Sequence, residues 1–127
     1  MKTSELSGAA LDWAVAKAEG WTVTTASDKK GQYLWLVYGI NEMKLSQYRP
    51  STNWMRGGPI IEREGISLEY DGLGTWVAWL HHEDKEYGGV TRSEGQDTSP
   101  LIAAMRCYVT SKLGKKIELQ EGLNGQV

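Results

Sequence analysis

Residues 97–114 read DTSPLIAAMRCYVTSKLG, and their punctuation marks where a helix starts and stops. Ser99 is placed to cap it, Pro100 suits the first helical position where no N–H is needed, and Gly114 follows Lys112 as a C-terminal stop. At about 100° per residue, Ile102, Met105, Val109 and Leu113 share one arc of roughly 80°, with Arg106 at its edge. An arginine there needs a partner. Its stem can carry it to solvent, it can meet a buried carboxylate such as Glu62, Glu64 or Glu69, or its fork can take a ligand phosphate or carboxylate.

Upstream of this helix the period changes from helical to alternating. GISLEYDG at 65–72 and TWVAWLHH at 75–82 read as two strands around an Asp71-Gly72 turn. WTVTT at 21–25 and YLWLVYG at 33–39, with SDKKGQ between them, read as another hairpin. Residues 4–19 form an Ala-rich helix with Ser4 or Ser7 as N-cap and Gly20 as its stop. Residues 41–59 show little period and hold Pro50, Gly57, Gly58 and Pro59, so they read as a long irregular connection. HEDKEYGGVTRSEGQD, 82–97, reads as an exposed polar loop, and KIEL at 116–119 as a short strand. Strands clustered between helices give an α+β fold: a small antiparallel sheet of about four to five strands packed with two main helices. Residues 1–120 are expected to form one domain and 121–127 a flexible C-terminal tail.

Composition narrows the function classes. Six Trp and six Tyr with no Phe mean that every large ring brings an N–H or O–H needing a partner when buried. Such rings build cores and also serve as ligand platforms. A net charge of −2 with scattered Lys and Arg leaves no footprint for nonspecific duplex DNA binding, although a nucleotide-sized anion remains compatible. The single cysteine, Cys107, lies in an apolar helical context without signs of activation and suits a reducing compartment. The first twenty residues, broken by Glu5, Asp12, Lys17 and Glu19, resemble neither a signal peptide nor a membrane span, and a cytosolic protein is expected.

NWMRGGPIIEREG, 53–65, is the candidate recognition stretch. Trp54 offers a stacking face, Asn53 hydrogen bonding, Arg56 charge, and Gly57-Gly58 close backbone approach, with Glu62 beyond. Its alternative reading is a solvent-exposed turn in which Gly-Gly-Pro breaks one element and Ile60-Ile61 dip into the core. Thr98 and Arg106, near the start of the last helix, complete the ligand-binding set. The glycines match neither GxGxxG nor GxxxxGK[ST].

No metal site, cofactor or catalytic residue is expected. His81 and His82 are adjacent in a strand and point to opposite faces, and no other histidine exists to build a triad. Glu62 and Glu64 are the weak basis for a hydrolase reading.

MKTSELSGAALDWAVAKAEG, YRPSTNWMRGGPIIEREGI and TSPLIAAMRCYVTSKLG together resemble the NinX-like proteins of lambdoid phages and prophages over most of the chain. The resemblance implies a dispensable accessory protein made inside an infected bacterium and carries no established reaction. It favours a noncatalytic binder of a small anionic, nucleotide-like ligand such as a host defence signal, in which Trp54 stacks, Asn53 and Thr98 hydrogen-bond, and Arg56 and Arg106 neutralise charge. The alternative is an interaction module docking on a host enzyme through Trp54, Tyr48 and Trp76. Both readings allow a homo-oligomer and neither requires a membrane.

Overall fold

In the computed structural model, which describes residues 1–83, 88–120 and 123, α4 spans Pro100–Leu113 and forms the centre of the packing. The Ile102 N–H donates to Ser99 Oγ at 3.2 Å, Pro100 occupies the first turn, and Gly114 ends the helix with its N–H on the Thr110 carbonyl. Leu101, Ala103, Ala104, Met105, Cys107, Tyr108 and Val109 are all buried, so α4 is covered on most of its surface. α1, Gly8–Glu19, lies against it and buries the continuous run Ala10–Ala16; Gly20 closes α1 in the left-handed region at φ 94°.

Among the described residues six strands form two separate three-stranded antiparallel sheets. β1 (Thr22–Asp28), β2 (Gly31–Tyr38) and β3 (Asn41–Lys44) make the first, in which Leu34 and Leu36 point into the core. β4 (Ser67–Tyr70), β5 (Trp76–Glu83) and β6 (Val90–Asp97) make the second, which packs on α4. Both expected hairpins form, Thr22 opposite Val37 and Leu68 opposite Ala78. The architecture is α+β, with six strands in two sheets.

Three local expectations are corrected. Residues 41–59 are not an irregular connection: they hold β3, the short helix α2 (Leu45–Tyr48) and the start of α3 (Trp54–Glu64). Asn53 Oδ1 caps α3 by accepting the Met55 N–H at 3.0 Å, and the helix runs through Gly57, Gly58 and Pro59. Pro59 forgoes one backbone hydrogen bond, and proline in a helix interior costs about 3 kcal/mol or more; burial of Ile60 and the packing of α3 on α4 oppose that cost. Residues 90–97 are not a loop but strand β6, paired with β5 from Trp76–Asp97 to Glu83–Val90. Its core-facing positions are small, Ser93 and Gly95, because α4 lies directly on them. KIEL makes only an isolated bridge, Lys2 opposite Lys116. Residues 84–87 of the expected loop, and 121, 122 and 124–127 of the expected tail, lie outside the described residues; Leu123 is fully buried.

Candidate functional site

The residues singled out in the sequence fall into two groups on opposite sides of α4. Gly57 is buried where α3 meets α4: a Cβ there would sit 2.4 Å from the Pro50 carbonyl oxygen and 2.5 Å from Leu101 Cδ1. Its role is close packing of two helices. Gly58 has only Trp54 within reach, at 3.9 Å, and Glu62 is exposed. Trp54 is 53% and Met55 81% exposed at the start of α3, while the Arg56 guanidinium lies 5.8 Å from the ring centre of Tyr48, itself buried.

Arg106 belongs elsewhere. Five residues beyond Leu101 it is turned about 140° around α4, and its side chain is only 13% exposed. Nε donates to the Leu6 carbonyl at 2.8 Å, while Nη1 donates to the Gln96 carbonyl at 2.6 Å and to Asp97 Oδ1 at 3.0 Å. The guanidinium therefore ties the chain entering α1 to the end of β6. Asp97, rather than Glu62, Glu64 or Glu69, is its carboxylate partner. Thr98, the next residue, is exposed.

The other polar groups have structural partners of their own. Glu19 and Arg63 form a two-pronged pair at 3.0 and 2.6 Å, joined by Tyr108, whose hydroxyl donates to Glu19. Glu64 takes Arg63 at 2.9 Å and Lys112 at 3.1 Å; burial pushes its carboxyl up, but these two cations outweigh burial and hold it below the ordinary range. Asp12 is buried and accepts the Ser51 N–H at 2.9 Å; burial lifts its carboxyl against that hydrogen bond. Burial, with Glu94 adding to it, pushes the Cys107 thiol up to about 12, so at neutral pH it is a protonated donor to the Ser93 carbonyl at 3.3 Å. His82 bonds Ser93 Oγ at 2.7 Å while His81 is exposed on the opposite face.

A cavity of about 440 Å³ opens where residues 2–4 and 115–116 meet β6. Among the described residues four cations line it, Lys2, Arg92, Lys115 and Lys116, with one carboxylate, Glu94; Thr3, Ser4, Ser93 and Thr110 complete the lining. Backbone pairing builds the wall: the Met1 ammonium donates to the Ile117 carbonyl at 2.9 Å, the Ile117 N–H returns to the Met1 carbonyl at 3.0 Å, and the Thr3 N–H donates to the Lys115 carbonyl at 2.9 Å. Thr3 and Thr110 join their hydroxyls at 2.9 Å beneath it. Lys2 and Lys116 thereby oppose each other across a bridge, an arrangement of like charge. Arg92 turns one face to Trp79 at 4.5 Å from the ring centre and pairs with Glu94 at 3.2 Å. In a chain of net charge −2, this is a local concentration of positive charge.

Thr110 lies nine residues along α4 from Leu101, a rise of about 13 Å, so the cavity is separate from the α3 surface. The cavity leaves little trace in the sequence, because its cations come from residues 2, 92, 115 and 116, none of them in a motif. The usable signal was the Lys115-Lys116 pair immediately after the Gly114 stop. Among the described residues no helix is long and apolar enough to cross a membrane.

A family model described as Bacteriophage P22, NinX matches residues 2–112, which takes in the start of each described helix and the described strands. No curated protein matches the chain.

Proposed function

The chain belongs to the Bacteriophage P22 NinX family, and on that premise we propose that it is a noncatalytic phage accessory protein that binds a small anionic, nucleotide-like ligand in the cavity at β6. The observation that carries the reading is the ring of Lys2, Arg92, Lys115 and Lys116 around about 440 Å³, a volume within the roughly 300–1,000 Å³ of small-molecule sites. Among the described residues the lining offers positive charge and no aromatic ring, so it suits the phosphate portion of a ligand. Arg92, stacked on Trp79, extends that surface toward a base. Sequestering a host defence signal of this chemistry is the role we assign to it inside an infected bacterium.

Isothermal titration with ATP and with pyrophosphate tests the proposal. Both should bind, less tightly as salt is raised, because the attraction is between a multivalent anion and partly exposed cations. Replacing Lys2 and Lys116 together by Gln should weaken binding at least about tenfold while leaving the circular dichroism spectrum unchanged. Wild-type protein that binds neither compound would refute the reading.

The exposure of Trp54 and Met55 favours a second reading, docking of a host protein on the start of α3. Trp54→Ala with Met55→Ala would then abolish capture of that protein and leave nucleotide binding untouched.

A further inference from the structure

We propose that two copies of the chain join through β1, edge to edge and antiparallel, to make one continuous six-stranded sheet. Of the four sheet edges among the described residues, three are blunted in the ways that prevent strand pairing. β3 has four residues with Glu42 and Lys44 among them, β4 has four with Glu69, and β6 carries Arg92 and Glu94 beside the cavity wall. β1 is different. It runs for seven residues, has no charge from Thr22 to Ser27, contains no proline, and is mostly exposed.

Among the described residues β1 has β2 on one side and no strand on the other, and no turn, loop or cap backbone hydrogen bond reaches residues 22–28. Asp28 and Gly31 close the two-residue Lys29-Lys30 turn. Counting from that pair, alternate residues Val23, Thr25 and Ser27 turn their N–H and C=O away from β2. A two-fold axis at Thr25 sets Val23 opposite Ser27 of the second copy and Thr25 opposite its own equivalent, giving about six interchain backbone hydrogen bonds. The same arrangement keeps the two Lys29-Lys30 turns at opposite ends, whereas a parallel one would bring them together. The occupant we assign to this edge is a second copy, because the outward residues Val23, Thr25 and Ser27 are uncharged and match their own equivalents about that axis.

Size-exclusion chromatography with light scattering over a dilution series, and one cysteine variant, test this. Wild-type protein should run as a dimer that dissociates on dilution. Thr25→Lys sets like charges opposite each other on the axis and should raise the dimer dissociation constant at least about tenfold with an unchanged circular dichroism spectrum. Thr25→Cys, whose Cα would stand about 5.5 Å from its counterpart and so within disulfide range, should oxidise to a covalent dimer, the native Cys107 being buried. A monomer at every concentration overturns the proposal. So does a dimer that survives Thr25→Lys, or one in which Thr25→Cys does not cross-link.

Discussion

Replacing Gly95 by Ala should destabilise the protein by about 2 kcal/mol, although alanine is ordinarily the better residue in a strand. A Cβ on Gly95 would lie 2.1 Å from the Ala103 carbonyl oxygen, 2.5 Å from the Cys107 nitrogen and 3.0 Å from Arg106 Cβ. Two of these are backbone atoms of α4, so no side chain can swing away; β6 and α4 must part by about 1 Å. Overpacking of this kind costs up to about 3 kcal/mol, while losing the conformational freedom of glycine returns about 0.5–1 kcal/mol. The steric cost wins. With an unfolding entropy of about 2.1 cal/mol/K per residue, a net 2 kcal/mol lowers the melting temperature by about 7–8 °C. Gly58→Ala is the control: its Cβ meets only Trp54 at 3.9 Å, inside a helix, and should stabilise by about 0.5–1 kcal/mol. Thermal denaturation of the three proteins decides. A Gly95→Ala variant melting within about 2 °C of wild type would refute the close β6–α4 contact on which the cavity wall depends.

Arg106→Ala should cost about 2–4 kcal/mol in denaturant unfolding, because it strands the Leu6 and Gln96 carbonyls and the Asp97 carboxylate; Arg106→Lys should not restore it, since an ammonium cannot span the same three acceptors. Glu64, whose folded-state pKa is depressed, contributes stability that is present above its unfolded value of about 4.3 and is lost as pH falls through the folded value. The stability difference between wild type and Glu64→Gln should therefore shrink on acidification, and a difference constant with pH would count against the ion pairs. Asp12 has the opposite sign: its folded pKa is raised, so its ionisation costs stability as pH rises through that value. Unfolding curves of Asp12→Asn should gain on wild type as pH rises from about 4 to 7, and a shrinking gap would contradict the burial of that carboxyl.

The end helices and both hairpins were legible because their signals are local. Ser99 and Pro100 start α4 and Gly114 stops it, Gly20 stops α1, and the alternation of 21–25, 33–39, 65–72 and 75–82 needs no knowledge of what packs on it. α3 was obscured because Gly57-Gly58-Pro59 is a strong local breaker. Gly57 makes sense only once the Pro50 carbonyl and Leu101 are in place against it. β6 was obscured because its inward residues, Ser93 and Gly95, are small rather than apolar; the alternation was one of size, with Arg92, Glu94 and Gln96 outward. Arg106 could be recognised as an arginine in need of a partner, but two of its three acceptors are backbone carbonyls, which no side-chain pattern records. The cavity was the least visible feature, since closing it takes the long-range pairing of residues 1–3 with 115–117.

The measurement that tests anion binding at β6 most directly is a two-dimensional ¹⁵N–¹H NMR titration with ATP. Saturable shifts at Lys2, Thr3, Ser4, Arg92, Ser93, Glu94, Thr110, Lys115 and Lys116, with Asn53–Gly58 unmoved, are the predicted result. Shifts confined to Asn53–Gly58, or none anywhere, would contradict it.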